Sequence, residues 1–278
     1  MTTGLRVAFQ GERGAYSEMA ALKHFGSGIE LAPHRTFSDV FEAVESGKVD
    51  HAIVPIENST EGSVNETYDL LLNTGLMVGN EVYLRVVHCL IGYSDSSAEK
   101  VRAVYSHPQA LGQCRTFIKS RGFETVPFYD TAGSVKMLKE LKMKEAAAIA
   151  GERAAEIYGM EVLERGIEDN KNNYTRFLVL GKSDSEPTGE DKTLMIFATK
   201  HLPGALHQVI EEFASRKINL TMIVSRPTKE KPWEYNFYVD FEGHRSEQNV
   251  KECLEELKDK TSFMKVLGSY PKFREATN

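Results

Sequence analysis

Asn172-Asn173-Tyr174-Thr175-Arg176-Phe177-Leu178-Val179-Leu180 runs from a polar cluster straight into an apolar strand, and the destination of that strand decides the fold. Upstream, from Leu5 onward, short apolar runs alternate with helical patterns, the mark of α/β units on mainly parallel sheets. Leu5-Arg6-Val7-Ala8-Phe9 reads as a strand, followed by a Gly11-Glu12-Arg13-Gly14 turn and a helix through Phe25 that Ser17 is expected to cap. Phe37-Ser38 opens a helix closed by Gly47, and His51-Ala52-Ile53-Val54 is the next strand. Ser63 and Glu66 have capping-box spacing ahead of Tyr68, Leu71 and Leu72. Residues 81–93 are β-rich with no helix before them and read as a crossing into a second lobe. That lobe has its own alternation: Ala103-Val104-Tyr105, a helix from Pro108, Glu124-Thr125-Val126, a helix with Val135, Leu138 and Leu141, then Ala146-Ala147-Ala148-Ile149. The strand at 176–180 then returns to the first sheet. Two lobes joined by crossing strands leave a cleft, a usual place for a small ligand.

Residues 183–191 are polar and aperiodic and read as a linker. The remainder follows β-α-β-β-α-β. A strand at 193–199 precedes a helix with Leu206, Val209, Ile210 and Phe213 on one face. A strand at 220–224 and one alternating Tyr235, Phe237, Val239 and Phe241 come next. A helix capped by Ser246 and a last strand at 264–267 complete a split-βαβ, ferredoxin-like arrangement.

The chain has 278 residues with a net charge of -6, and no basic run offsets that charge, which argues against nucleic-acid binding. No apolar stretch is long enough to span a bilayer, and no secretory-type apolar core stands at the start. Cys89, Cys114 and Cys253 lack CxxC spacing and leave an odd number, so free thiols in a reducing cytoplasm are expected. The eight histidines show no HExxH or other ligand-like grouping, and no metal or cofactor is expected. Gly181-Lys182-Ser183 fails as a phosphate loop because Arg176 stands where that pattern needs Gly.

Pro55-Ile56-Glu57-Asn58-Ser59-Thr60-Glu61-Gly62-Ser63 leaves one strand as the 172–177 cluster enters another. Together they offer neutral donors and one guanidinium in an otherwise acidic chain, a combination that suits a small polycarboxylate. Each has a plain reading as well: Asn and Ser favour turns, and Thr and Phe are ordinary in strands. Gly11-Glu12-Arg13-Gly14 reads equally as an anion cradle at a helix N-terminus and as a simple strand-to-helix turn. Ser106-His107-Pro108-Gln109 holds the corresponding place in the second lobe, with Pro108 in a helix's first turn and Gln109 and Gln113 one turn apart.

Taken in order, Gly11-Glu12-Arg13-Gly14-Ala15-Tyr16-Ser17, Pro55 to Ser63, Ser106-His107-Pro108-Gln109 and Tyr174-Thr175-Arg176-Phe177 resemble the catalytic domain of the prephenate dehydratase family. Pro203-Gly204-Ala205-Leu206, Ser225-Arg226-Pro227, Trp233-Glu234-Tyr235 and Asp240-Phe241-Glu242-Gly243-His244 resemble that family's ACT regulatory domain. The resemblance implies an α/β fold: a two-lobed, type II periplasmic-binding-protein-like catalytic domain at 1–182, with lobe 1 about 1–80 and 168–182 and lobe 2 about 81–167. A linker at 183–191 and a ferredoxin-like βαββαβ ACT domain at 192–271 follow. It implies decarboxylating dehydration of prephenate to phenylpyruvate without a cofactor. Thr175, Asn58, Gln113 and Glu57 are then catalytic, and Arg176, Phe177, Ser59 and Ser106 bind substrate. L-Phenylalanine is implied as effector on Gly204, Ala205, Leu206, Asn219, Ser225, Arg226 and Pro227, in a cytoplasmic homodimer or homotetramer joined partly through ACT domains. One departure stands out: Val224 occupies the place where the family's Ser-Arg-Pro motif is usually preceded by Glu. Arogenate dehydratase and, in a different class, a non-catalytic ligand sensor are the rival readings.

Overall fold

The computed structural model describes residues 4–93, 100–229 and 232–274. The chain divides into two compact units, one of Met1–Val40, Ile53–Gly62 and Tyr83–Phe177, the other of Phe41–Ala52, Ser63–Val82 and Leu178–Asn278. In chain order the first series of elements is β1 (Arg6–Gln10), α1 (Tyr16–Phe25), β2 (Glu30–His34), α2 (Phe37–Glu45), β3 (His51–Asn58), β4 (Gly62–Ser63), α3 (Asn65–Asn73) and β5 (Met77–Arg85). The second is β6 (Cys89–Gly92), β7 (Ala103–Ser106), α4 (Pro108–Gln113), α5 (Arg115–Arg121), β8 (Glu124–Pro127), α6 (Thr131–Leu141), β9 (Ala146–Ala150), α7 (Glu152–Tyr158) and β10 (Glu161–Arg165), and β11 (Tyr174–Gly181) follows it.

The sheet orders are β2-β1-β3-β11-β5, with β4 paired to β3, and β10-β6-β9-β7-β8. Setting aside the two-residue β4 and counting the second set from β7, both follow one plan: second, first and third strands, then an inserted strand, then the last. In one sheet the inserted strand is β11 and in the other it is β6, which runs antiparallel to β9 while β7 runs parallel to β9 and β8. This is the type II two-lobed order expected, and β11 is the returning strand. Every residue of β9 is buried, as a strand covered on both faces requires. Its Ala147 and Ile149 pack with Leu90, Val104, Leu111 and Ile118.

The C-terminal part adds β12 (Asp191–Thr199), α8 (Ala205–Ser215), β13 (Leu220–Pro227), β14 (Tyr235–Glu242), α9 (Gln248–Lys260) and β15 (Thr261–Pro271). Its antiparallel sheet runs β13-β14-β12-β15, the ferredoxin-like order for βαββαβ. Met195 and Phe197 of β12 and Val239 and Phe241 of β14 meet Val209 and Phe213 of α8 and Val250, Cys253 and Leu257 of α9. The opposite face of β12 is buried too. There Lys192 Nζ lies 2.9 Å from Glu81 Oε2 and 2.8 Å from Asp240 Oδ2. Tyr270 donates its hydroxyl to Asp240 Oδ1 at 2.9 Å. Helix α3 is held from the same side: Arg226 makes a two-pronged pair with Asp69, and Lys265 Nζ donates to the carbonyls of Leu71, Leu72 and Thr74.

Three expected caps are replaced. Ser17 lies inside α1 and is buried; the N-cap is Ala15, and the Glu18 carboxylate reaches back to accept from Gly14 N at 3.0 Å. Ser63 pairs in β4, and α3 starts after Val64 with no side-chain cap, so the Ser63–Glu66 box does not form. Ser246 bonds His244 Nδ1 at 2.6 Å, while α9 begins after Glu247. At Ser17 a better-placed carboxylate, and at Ser246 a nearby partner for the hydroxyl, wins the competition for local groups. Strand β3 also extends to Asn58, past the expected stop at Val54, because Pro55 and Glu57 alternate with buried Ile56 and Asn58. Residues 183–191 are tied down: Asp184 accepts from Ser269 N at 2.9 Å and Ser185 donates to Gly79 O at 2.6 Å. No helix among the described residues is long and apolar enough to cross a membrane.

Candidate active site

Strands β3 and β11 are stitched at their ends. Ser59 N donates to Tyr174 O at 2.8 Å, Ser59 Oγ donates to Asn172 O at 2.8 Å and accepts from Tyr174 N at 2.9 Å. The stitch aligns Asn58, the last residue of β3, with the start of β11. Because strand side chains alternate, Asn173 and Thr175 share a face, and both meet Asn58. Asn58 Nδ2 donates to Asn173 Oδ1 at 2.8 Å and to Thr175 Oγ1 at 2.9 Å. Its Oδ1 accepts from Thr60 N and Glu61 N, both at 3.0 Å, the turn chemistry that makes Asn a common residue at such an exit.

Gln113 comes from the second series, as the last residue of α4. That helix starts where sequence placed it, with Pro108 in its first turn, and His107 supplies the cap by accepting from Gln109 N. Gln113 Oε1 accepts from Asn173 Nδ2 at 2.9 Å and its Nε2 donates to Thr60 Oγ1 at 3.0 Å. Thr60 Oγ1 in turn donates to Asn58 Oδ1 at 2.6 Å. Four side chains thus close a one-way ring: Asn58 to Asn173, to Gln113, to Thr60 and back to Asn58. Every polar atom in it is neutral, and Asn58 and Asn173 are 5% and 1% exposed.

The ring fixes the polarity of Thr175. An amide N–H can only donate, so Thr175 Oγ1 is the acceptor of its bond to Asn58, and the threonine proton is directed elsewhere. Thr175 is 9% exposed, so this donor sits at the edge of the buried network. Glu57 is half-buried on the opposite face of β3 and takes no part in the ring. Alternation likewise sets Arg176 on the face of β11 opposite Thr175, where it is buried, and Phe177 is core. Ser106 is fully buried and gives its proton to Ile149 O at 2.5 Å, which leaves it lone pairs alone.

Sequence reading placed Asn173 and Thr60 inside its two polar clusters without giving either a role, and it did not single out His88. Asn173 carried a usable signal, two residues before Thr175 and hence on its face. His88 carried none, since nothing in the 81–93 stretch marks its ring as a partner for Gln113. Its Nε2 lies 2.8 Å from Gln113 Oε1 and its Nδ1 lies 2.9 Å from Tyr16 Oη. Burial holds the His88 imidazole below its ordinary pKa, keeping it neutral, while the Gln113 bond and the Glu168 charge oppose that shift. Burial raises Cys89 and Cys114, so neither thiol is an activated nucleophile. Among the described residues no three His, Cys, Asp or Glu side chains come together as a metal site.

In the C-terminal unit, Gly204, Ala205 and Leu206 line a pocket of about 360 Å³ together with Thr199, Trp233 and Tyr235. Gly204 has φ 81°, a left-handed conformation that glycine adopts without strain, and it opens α8, which no side chain caps. Asn219 donates to Glu242 Oε2 at 3.2 Å, Arg226 is committed to Asp69, and Ser225 and Pro227 are exposed on β13. None of these four is in that pocket's lining.

A bifunctional chorismate mutase/prephenate dehydratase of Aquifex aeolicus is 42% identical over 96% of this chain and 74% of the relative. Arogenate dehydratase 2 of Petunia hybrida is 42% identical over 96% of this chain and 72% of the relative. Among solved structures, a prephenate dehydratase in complex with L-Phe from Arthrobacter aurescens superposes with a TM-score of 0.89 at 30% identity, covering 96% of this chain and 90% of that one. A protein described as GqqA, a novel type of quorum quenching acylase, gives a TM-score of 0.89 at 33% identity, covering 96% and 98%. Residues 7–185 match the prephenate dehydratase family and residues 193–259 the ACT domain, so the chain belongs to the prephenate dehydratase family and carries a C-terminal ACT domain.

Proposed function

We propose that this chain converts prephenate to phenylpyruvate, carbon dioxide and water, and that L-phenylalanine regulates it. The carrying observation is the ring that makes Thr175 a hydrogen-bond acceptor from Asn58 and so turns its own O–H into a donor. Loss of the ring hydroxyl with the ring carboxylate makes the product aromatic, so the driving force lies in the substrate. Cleavage of the C–O bond leaves its electron pair on oxygen, the departing carboxylate supplies the pair that completes the aromatic ring, and one proton converts hydroxide to water. The enzyme's work is to hold a dianion and stabilise the leaving oxygen. Thr175 hydrogen-bonds that oxygen, Gln113 and Asn58 hold the frame, and Glu57 is the rival source of the proton. General acid assistance of this kind is worth about 10²–10⁴-fold.

Arg176 is assigned to a substrate carboxylate, which a guanidinium recognises with two parallel hydrogen bonds. Strand alternation sets it opposite Thr175, so Arg176→Ala is the discriminating variant: unchanged substrate affinity rejects the assignment. Phe177, Ser59 and Ser106 complete the substrate-binding set, Ser106 as an acceptor. Acyl transfer is not favoured at this site. A threonine nucleophile needs a base to take its proton, and Asn58 presents the opposite polarity.

For regulation, the support is the ACT domain, the pocket beside Gly204, Ala205 and Leu206, and the open α8 N-terminus, whose N–H groups suit an effector carboxylate. Asn219, Ser225, Arg226 and Pro227 belong to the proposed effector region around β13, and Arg226 pairs with α3, whose chain leads back to Asn58 and Thr60. Phenylalanine regulates only if it prefers one arrangement of the site over another. Equal phenylalanine affinity with and without a bound substrate analogue argues against coupling. The same reading takes 1–182 as catalytic domain, 183–191 as linker and 192–271 as regulatory domain, in a cytoplasmic homodimer or homotetramer that light scattering would size. Ultraviolet detection of phenylpyruvate from prephenate, with arogenate run alongside and phenylalanine added in turn, tests substrate and effector together. Turnover of arogenate alone would favour the arogenate dehydratase reading, and binding without product would favour the sensor.

A further inference from the structure

We propose that His88 is a positioning residue of this site: its Nε2–H, donated to Gln113 Oε1, fixes which end of the Gln113 amide faces Thr60 and the exposed side of the ring. The inference rests on reading Gln113 as part of the substrate site. An amide oxygen has only lone pairs, so the 2.8 Å contact requires a proton on His88 Nε2. In a neutral imidazole Nδ1 is then an acceptor; the Tyr16 hydroxyl stands 2.9 Å from it and 2.9 Å from Val87 O, and its single proton serves one of the two. The Tyr16 ring meets the His88 ring edge-on at 5.5 Å between centroids, and the His88 backbone N–H is given to Glu168 Oε2 at 2.9 Å. At 2% exposure the imidazole is held at Nε2 and through its backbone N–H, with the Tyr16 hydroxyl against Nδ1.

The consequence falls on Gln113. Its Oε1 receives two donors, from Asn173 and from His88. Rotating the amide by half a turn would face Nε2 against both of them, two donor–donor contacts in a largely buried spot. Without His88 one of the two donors that oppose that rotation at Oε1 is gone, leaving Asn173 there and, at Nε2, Thr60 Oγ1 at 3.0 Å and Glu61 Oε1 at 3.5 Å. The rotated amide would present oxygen to Thr60 and break the one-way ring that orients Asn58 and, through it, Thr175. His88 thus acts on the reaction at second hand, by setting a direction.

His88→Phe keeps an aromatic ring and removes the donor; His88→Gln restores an N–H. Phenylpyruvate formation by His88→Phe is expected to fall about tenfold in kcat/KM, mainly through kcat, the size of one lost orienting hydrogen bond. His88→Gln is expected to recover part of it. In a Gln113→Ala background His88→Phe should cost less than about twofold, because its target is gone. An equal loss in both backgrounds, or no loss in either, would overturn the proposal. Long-range ¹H–¹⁵N spectra of histidine-labelled unmodified protein give a readout that needs no turnover. The expected His88 signals are those of the Nε2–H tautomer, shifting in Gln113→Ala. An Nδ1–H tautomer would overturn the proposal even in an enzyme shown to act on another substrate. Absence of phenylpyruvate with the Nε2–H tautomer present would instead remove the substrate reading and leave the orientation of Gln113 standing.

Discussion

Asn58 has two amide protons and both are committed, one to Asn173 and one to Thr175. That is why an isosteric change should be so damaging. Asn58→Asp replaces a donor with a carboxylate oxygen facing two acceptors; Thr175 then turns its proton inward to satisfy the charge, and the leaving oxygen loses its partner. Activity should fall by about 10²-fold or more while the fold survives, which steady-state phenylpyruvate assays and a thermal melt will show together. His88 gives a second prediction, on stability. Its folded pKa lies below the ordinary value because of burial, so the native state stays neutral where the unfolded chain takes up a proton. The contribution is fully present above about pH 6.5 and is lost as pH falls toward the folded pKa. His88→Phe should flatten the fall of unfolding free energy with acid by up to about 1.4 kcal/mol per pH unit in that window, measured by urea denaturation across pH. An unchanged slope would show that His88 is not buried neutral.

Elements set these residues in place through their ends, and ends are where the sequence was hardest to read. α2 and α6 have N-caps in the usual sense: Thr36 Oγ1 accepts from Asp39 N at 3.1 Å and Asp130 accepts from Gly133 N at 2.6 Å. Asp130→Ala should lower stability by about 1 kcal/mol, seen as a lower urea midpoint at unchanged m-value. The returning strand β11, the buried β9 and the C-terminal βαββαβ order were all legible, because hydrophobic periodicity and length carry that information locally. The start of α1 was not, since no side chain caps it and Glu18 reaches back from inside the helix to Gly14 N, a contact that no cap pattern marks. β2, α5, α7 and β10 were not anticipated; each is short, and their apolar faces are too brief to show a period. At the site, Thr175, Asn58 and Gln113 were legible as motif residues, whereas the ring joining them was not. A hydrogen bond between residues 113 and 173 has no local trace in the chain.

Across the whole molecule, the C-terminal sheet is buried on both faces of β12, and the second face is ionic. Lys192 sits at 5% side-chain exposure between Glu81 and Asp240, with Tyr270 on the far oxygen of Asp240 and Phe273 N giving a 3.0 Å bond to Glu81. Such a cluster adds little net stability over an apolar one, but removing its cation strands two buried carboxylates. Lys192→Met should therefore cost about 3–5 kcal/mol in denaturant unfolding, and a loss below about 1 kcal/mol would mean that water reaches the site. The proposed chemistry turns on something narrower: the Thr175 hydroxyl, oriented by Asn58, assisting the departure of oxygen from prephenate. The most direct measurement is phenylpyruvate formation by the unmodified chain, Thr175→Ser and Thr175→Val at saturating prephenate. Thr175→Ser is expected to keep activity within about tenfold and Thr175→Val to retain about 1% or less. Near-normal turnover by Thr175→Val would contradict it.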